Sequence, residues 1–226
     1  MKRSLRFQFV FVLLLGIFTG IAPSAAKVHV IAFGKWVTVA WNGGADVDGK
    51  VSTIKIRALV VGGRVKEYVL GTSHEVAKRL FVVRRVFRGN DGLPEDSAPC
   101  WEWQRGGWLL VDRVTGRISV INLPEFDALY SVASWYRDYV AYCGVADDGK
   151  KTYAVVAQPS RREPVLKKAL TEGMGEDAAP DSACPAPVWQ RGPVRVSFQT
   201  AGGAKETYAI GGHVVDVVND AEEEDE

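Results

Sequence analysis

The chain has 226 residues, of which 47% are hydrophobic and 24% charged, and its formal net charge is +1. This length and apolar content are enough for one domain with a sizeable core. The mild charge, spread along the chain, gives no support for the strongly basic stripe that nucleic-acid-binding proteins use, so no nucleic-acid partner is expected.

The N-terminus has the pattern of a secretory signal peptide. Basic residues precede an apolar stretch over residues 7–21, and Ser24 and Ala26 are small residues placed for cleavage before Lys27. The alternative is an uncleaved membrane anchor, because the apolar stretch could nearly span a bilayer. The cleavage site, with no basic stop-transfer run after it, favours removal of residues 1–26. We therefore expect a secreted or periplasmic protein with no membrane span after signal removal.

The exported part consists of short apolar runs that are rich in Val, Ile, Tyr and Trp and are separated by Gly, Asp, Asn and Pro. This pattern is typical of strands joined by tight turns. Residues 35–70 indicate three strands, with turns at Asp48-Gly49 and Gly62-Gly63. No segment sustains the 3.6-residue period of a helix, so the sequence predicts an all-β fold.

Two short sequence motifs each occur twice in the chain. Residues 103–106 ("WQRG") return as residues 189–192, and residues 48–50 ("DGK") return as residues 148–150. Such self-similarity predicts a tandem duplication of antiparallel sheets. The halves are about 27–124 and 125–219, and together they form one β-repeat domain over 27–219.

The duplication makes two structural predictions. Trp36–Leu70 and Tyr139–Leu166 should form matching antiparallel sheets, and Trp103–Ile121 should match Trp189–Ile210. Splitting each half once gives four units of about forty-five to fifty residues, each able to supply three or four strands.

One of these units also resembles a known family. The stretch "SWYRDYVAYCGVADDGKKTYAVV" is similar to a blade of the WD40-like, TolB-type β-propellers, in which a turn precedes an apolar strand and a "DGK" hairpin. The resemblance implies a propeller-like architecture with about four blade-like units. The fourth unit departs from the pattern, because residues 171–187 do not read as an inner strand. A β-sandwich or two packed barrels, one per half, are the alternatives.

Three cysteines lie in the exported part, where disulfides can form and an odd count leaves one thiol over. Cys143 falls in an apolar strand, where a thiol behaves as a small hydrophobe. Cys100 and Cys184 fall in polar, Pro-containing segments at repeat-equivalent positions. We therefore expect a Cys100–Cys184 bridge.

No catalytic or metal-binding motif is present. The chain lacks a nucleophile elbow, a phosphate loop and a zinc spacing, and its three histidines are scattered. Ser73, His74 and Glu75 are consecutive, whereas catalytic triads assemble through space. The acidic turns lack the spaced oxygen ligands of a calcium loop. We expect no catalytic residue, no metal and no cofactor, hence a protein that is not an enzyme.

Tryptophans are concentrated over residues 101–108, and we interpret this segment as an aromatic loop. The candidate binding residues are Trp101, Glu102 and Arg105, because an exposed aromatic beside charged groups can stack on sugars or anchor a protein. Trp103 is predicted to be structural because it recurs as Trp189 in the second copy of the repeated "WQRG" motif. The same role is predicted for the two residues of that second copy, Trp189 and Arg191.

These features favour an exported, non-enzymatic β-repeat module for binding or scaffolding, with a protein or a glycan as its partner. One alternative is a carbohydrate- or ligand-binding propeller that uses the Trp101–Trp108 loop. A second alternative is an exported hydrolase-like enzyme. The acidic residues 220–226 should form a disordered tail, since they repel one another and bury nothing.

Overall fold

The computed structural model describes residues 29–45, 51–90, 92–93, 98–149, 151–170, 184–199, 205–211 and 214–218. The predicted signal peptide, the turn at Asp48-Gly49 and the acidic tail lie outside the described residues. Within the ranges that are described, no helix is long and apolar enough to cross a membrane.

The described residues form fifteen strands and no helix, which confirms the all-β class. The strands are β1 (Ile31–Phe33), β2 (Val37–Ala45), β3 (Val51–Val61), β4 (Arg64–Ala77), β5 (Leu80–Asn90), β6 (Trp101–Asp112), β7 (Ile118–Ile121), β8 (Ser134–Tyr136), β9 (Tyr139–Val145), β10 (Thr152–Ala157), β11 (Leu166–Ala169), β12 (Val188–Arg191), β13 (Val194–Gln199), β14 (Lys205–Gly211) and β15 (Val214–Val218).

The first sheet contains β1–β7, and five of its strands close into a ring. β2, β3, β4, β5 and β6 pair in succession as antiparallel neighbours, and β6 then returns to pair in parallel with β2 at Trp41 and Trp103. β1 adds to β3, and β7 adds to β6. Gly62 and Gly63 form the predicted turn between β3 and β4, with φ of 58° and 78°, values that a two-residue hairpin turn requires.

The second and third sheets are four-stranded antiparallel meanders. β8, β9, β10 and β11 follow one another in the second sheet, and β12, β13, β14 and β15 do so in the third. Gly149, with a φ of 70°, lies in the predicted turn between β9 and β10, where the left-handed conformation favours glycine.

Three apolar cores hold these sheets together. The first packs β3 and β4 against one face of β5 and β6, with Leu59 and Phe81 among its members. The second packs the opposite face of β5 and β6 against the second sheet, and the third packs the second sheet against the third. Along β9, successive residues alternate between the last two cores. The second sheet is therefore buried on both faces, which explains why β9 and β10 are almost continuously apolar.

The first duplication prediction agrees with the structure in strand order but not in strand neighbours, because β2 also pairs with β6 whereas its counterpart β9 pairs with β8. Trp36–Leu70 contains β2, β3 and the start of β4, and Tyr139–Leu166 contains β9, β10 and the start of β11. Both segments run as three consecutive antiparallel strands.

The other duplication prediction is wrong. Trp103 lies within the continuous strand β6 and pairs with Arg88 of β5, whereas Trp189 lies in the short strand β12 and pairs with Val196 of β13. The second copy of the "WQRG" motif is followed by Pro193. Because proline has no N–H to donate to the hydrogen-bond ladder of a sheet, the chain turns at Gly192-Pro193. The first copy has Gly107 at that position, and β6 continues.

The expected Cys100–Cys184 bridge is also wrong, because the disulfide joins Cys143 to Cys184. Their Cα atoms are 6.0 Å apart, and 41 positions separate them in sequence. Both cysteines belong to the core between the second and third sheets, so packing brings them together. Cys100 immediately precedes β6 of the first sheet, is exposed, and takes no part in the bridge.

Candidate functional site

The Trp101–Trp108 segment is a strand and not a loop, which corrects the sequence interpretation. All of it lies in β6, whose residues alternate between the two faces of the sheet. Trp108 is buried in the second core, at 9% exposure, whereas Trp101 at the start of the strand is 54% exposed. The three tryptophans of this segment therefore have different environments.

Strand register places several aromatic and basic residues on one face of the ring. Trp101, Trp103 and Arg105 share a face of β6, and Trp103 pairs with Trp41 of β2 and with Arg88 of β5. Arg105 pairs with Val86, which pairs in turn with Tyr68 of β4. Cross-strand partners point to the same side of a sheet. We call this surface the aromatic–basic face, formed by Trp41, Tyr68, Arg88, Trp101, Trp103 and Arg105.

The aromatic part of this face is built around Trp103. Its ring meets Tyr68 edge to face, with 5.2 Å between the centroids. Val86, on the same face, is buried at 1% exposure, whereas Tyr68 is 41% exposed. Trp103 is therefore partly buried on this face, while Tyr68 and Trp101 remain exposed to solvent.

The predicted structural role of Trp103 leads to a stability test. Trp103→Ala should lower the free energy of unfolding by about 2–3 kcal/mol, less than a fully buried aromatic because the side chain is only half-buried. Chemical denaturation checks this value. A loss under about 0.5 kcal/mol would show that Trp103 does not hold β2, β4 and β6 together.

The charged part of the face is basic. The Arg105 guanidinium lies over the Trp41 ring, 3.9 Å from its centroid, and burial lowers the pKa of Arg105. Arg88 donates a hydrogen bond to the Trp101 carbonyl at 3.2 Å. Arg88 is exposed. A stacked arginine of this kind can bind a planar anion as well as an aromatic ring.

Glu102 does not belong to this group, although the sequence made it a candidate beside Trp101 and Arg105. Alternation along β6 places Glu102 on the opposite face, where Glu67 of β4 also lies and binds Arg85 at 3.0 Å. Among the described residues of the ring over 37–41, 52–70, 84–90 and 101–105, these two glutamates are the acidic residues. The aromatic–basic face therefore carries no carboxylate in this part of the chain.

Arg84 is a buried residue that the sequence interpretation missed. Its guanidinium donates hydrogen bonds to the carbonyls of Gly106, Ala128 and Ser131, at 2.8, 2.6 and 3.3 Å. Burial, reinforced by the charge of Arg105, lowers the pKa of Arg84 to about 10, so Arg84 stays protonated at neutral pH. The sequence feature that could have identified Arg84 is the Arg84-Arg85 pair within the otherwise apolar run of β5.

Trp189 and Arg191 lie apart from the aromatic–basic face. Trp189 donates a hydrogen bond from Nε1 to the Ser134 carbonyl at 3.1 Å and stacks on Tyr136, with 5.5 Å between the ring centroids. It thereby connects the third sheet to the second, in keeping with the predicted structural role. Arg191 is exposed at the end of β12, immediately before the Gly192-Pro193 turn.

Of the consecutive residues Ser73, His74 and Glu75, the last two are engaged in structural contacts. His74 donates a hydrogen bond from Nε2 to the Arg137 carbonyl at 2.7 Å and stacks on Trp135, and Glu75 binds Arg113 at 2.6 Å. Across the described ranges, no group of three or more His, Cys, Asp or Glu residues is placed to hold a metal ion.

The candidate site is thus an exposed surface, defined by the register of β2 and β4–β6. Comparison of the chain with known proteins found no matching family model, no matching curated protein and no matching solved structure.

Proposed function

We propose that this protein is an exported, non-enzymatic β-repeat module that binds a partner through the aromatic–basic face. The observation that carries the proposal is the exposure of Trp101 beside Trp103, Tyr68, Arg88 and Arg105 on one side of the ring. Exposed aromatic and arginine side chains contribute most of the binding energy at many interfaces. The predicted signal peptide gives the compartment: secreted or periplasmic.

Rigidity supports the same proposal. The face lies on strands that are fixed on both edges by neighbouring strands, and buried Val86 lies beside its aromatic residues. Binding groups held on regular strands lose little conformational freedom when a ligand binds, so more of the contact energy remains as affinity.

We also propose that the layers are successive blades of a propeller-like fold. Two apolar cores between stacked antiparallel sheets support this proposal, as does the four-stranded meander order of the second and third sheets. The resemblance to WD40-like, TolB-type repeats provides the family hypothesis.

Two tryptophan variants test the binding role. Trp101→Ala should leave the unfolding free energy within about 0.5 kcal/mol of wild type, because the side chain is mostly exposed. It should also reduce co-sedimentation of the purified protein with the isolated cell envelope of the producing organism by roughly fivefold or more. Trp36→Ala is the matched control, since Trp36 is 46% exposed but lies before β2 and outside the face. Equal retention of both variants would refute the proposal.

A further inference from the structure

The open edge of β7 is accessible to another chain. β7 pairs with β6 and with no other strand in the part of the chain that the structure describes, and Val120 of β7 is 69% exposed. Proteins commonly protect an edge strand with lysine or proline, and β11, at the edge of the second sheet, carries Lys167 and Lys168. The sequence of β7 is "ISVI", so this strand carries no such protection.

The hydrogen-bond pattern of β7 determines which main-chain groups face this edge. The Asp112 N–H donates to the Arg117 carbonyl at 2.9 Å, at the start of the ladder between β6 and β7. Residues of an antiparallel pair alternate between bonding to their partner strand and pointing away from it. Ile118 and Val120 therefore direct their N–H and C=O groups to the open edge, where an added strand can bind them.

A cleft lies on each face of β7. The first has a volume of about 480 Å³ and lies between Ser119 and Ile121 of β7 and the turn at residues 159–162. The second, of about 310 Å³, is lined on the opposite face by Ile118 and Val120 and by the start of β4. Both volumes are typical of natural ligand clefts. Successive side chains of a strand added to β7 would enter the two clefts alternately.

We infer that β7 binds an extended peptide segment of a partner protein, which adds to the first sheet as a further strand. Main-chain hydrogen bonds to Ile118 and Val120 provide affinity, and the two clefts select the side chains of the peptide. Arg161 and Arg162 line the first cleft, so the matching peptide carries a carboxylate there. The second cleft is lined by one lysine and one glutamate as well as by apolar residues, and it favours neither charge.

A second copy of this chain is the competing occupant, because two β7 edges could pair with each other. Such a dimer is two-fold symmetric, so each surface group of one copy recurs in the same interface from the other copy. Arg161 and Arg162 would then be present twice in one small interface, where like charges oppose association. A peptide that carries a carboxylate meets the same arginines favourably, and this favours the peptide.

The experiment selects linear peptides from a random library displayed on phage, with the immobilised mature protein as the target. The affinity of an enriched peptide, made synthetically, is then measured for two proline variants. Val120→Pro removes an N–H that points to the open edge and leaves the bonds between β6 and β7 in place. Ala169→Pro is the matched control: Ala169 is exposed on the edge strand β11, and the Leu170–Thr152 bond places its N–H away from β10.

We expect the enriched peptides to alternate apolar residues and to include Asp or Glu. Val120→Pro should weaken binding roughly tenfold or more, and Ala169→Pro should change it by about twofold or less. Hydrogen exchange of the wild-type protein provides a second measurement that needs no variant: the amides of Ile118 and Val120 should become protected when the peptide binds.

Four results would overturn the inference: no enriched peptide, enrichment only of peptides without a carboxylate, an equal effect of the two proline variants, or no added protection at Ile118 and Val120. Light scattering tests the competing occupant. The mature protein should be a monomer, and a dimer that Val120→Pro dissociates would assign this edge to a second copy instead.

This inference does not rest on the proposed function, because β7 shares no residue with the aromatic–basic face. Trp101→Ala should therefore leave the affinity for the enriched peptide within about twofold of wild type. A large loss in Trp101→Ala would show that the peptide binds the aromatic–basic face and would overturn the assignment to β7.

Discussion

Removing the Cys143–Cys184 bridge is expected to lower the free energy of unfolding by about 4 kcal/mol. The bridge closes a loop of 41 residues, and the chain-entropy model assigns a loop of this length a stabilisation of about that size. It also joins β9 to the segment before β12, so it fastens the third sheet to the second. Urea denaturation of Cys143→Ala/Cys184→Ala, compared with wild type, measures the loss.

Cys100→Ala is the control for this experiment. Cys100 is exposed and outside the bridge, so its replacement should change the unfolding free energy by less than about 0.5 kcal/mol. Peptide mapping without reduction should recover Cys143 linked to Cys184. Recovery of Cys100 linked to Cys184 would show that the connectivity described here is not the one that forms.

Replacing Arg84 is expected to be nearly as damaging. Arg84→Ala should lower the unfolding free energy by about 3 kcal/mol, because it leaves the carbonyls of Gly106, Ala128 and Ser131 without their donor and opens a cavity. The bond to Gly106 joins β5 to β6, and the bonds to Ala128 and Ser131 join β5 to the connection between β7 and β8. Thermal or chemical denaturation measures the effect.

Arg85 provides a matched control on the next position of β5. Its salt bridge to Glu67, at 3.0 Å, is partly exposed, so Arg85→Ala should cost about 1 kcal/mol or less. If the two variants were equally stable, the carbonyl contacts of Arg84 would not contribute to the fold.

Local sequence patterns were sufficient for the fold class and for some of the turns. Gly62-Gly63 and Gly149 determine their hairpins because the backbone needs positive φ there, and this requirement is visible in the sequence. The exposure of Trp101 could also be predicted from the sequence, because Trp101 has no counterpart in the second copy of the repeated motif. The turns and the exposure of Trp101 each depend on residues that are close together in the sequence.

The aromatic–basic face could not be predicted from the sequence, because it depends on long-range register. Trp41 and Tyr68 join Trp103 only through the parallel pairing of β2 with β6 and the antiparallel pairing of β4 with β5. No local pattern specifies either pairing. The disulfide was misassigned for a related reason: sequence equivalence of Cys100 and Cys184 does not imply proximity, whereas packing of the second and third sheets does.

The two copies of the repeated "WQRG" motif have different structural roles. In the first copy Arg105 stacks on Trp41 within a continuous strand, whereas in the second copy Arg191 is exposed beside a turn. The residue that follows the phrase, Gly107 or Pro193, decides whether the strand can continue.

Hydroxyl-radical footprinting of the protein in its native compartment tests the central claim most directly, because it needs no prior identification of the ligand. Oxidation of Trp101, Tyr68 and Trp36 is compared between the purified protein and the protein in situ. If the aromatic–basic face is the binding surface, Trp101 and Tyr68 are protected in situ, while Trp36 is oxidised equally in both states. Equal oxidation of Trp101 in both states would contradict the assignment of this face to partner binding.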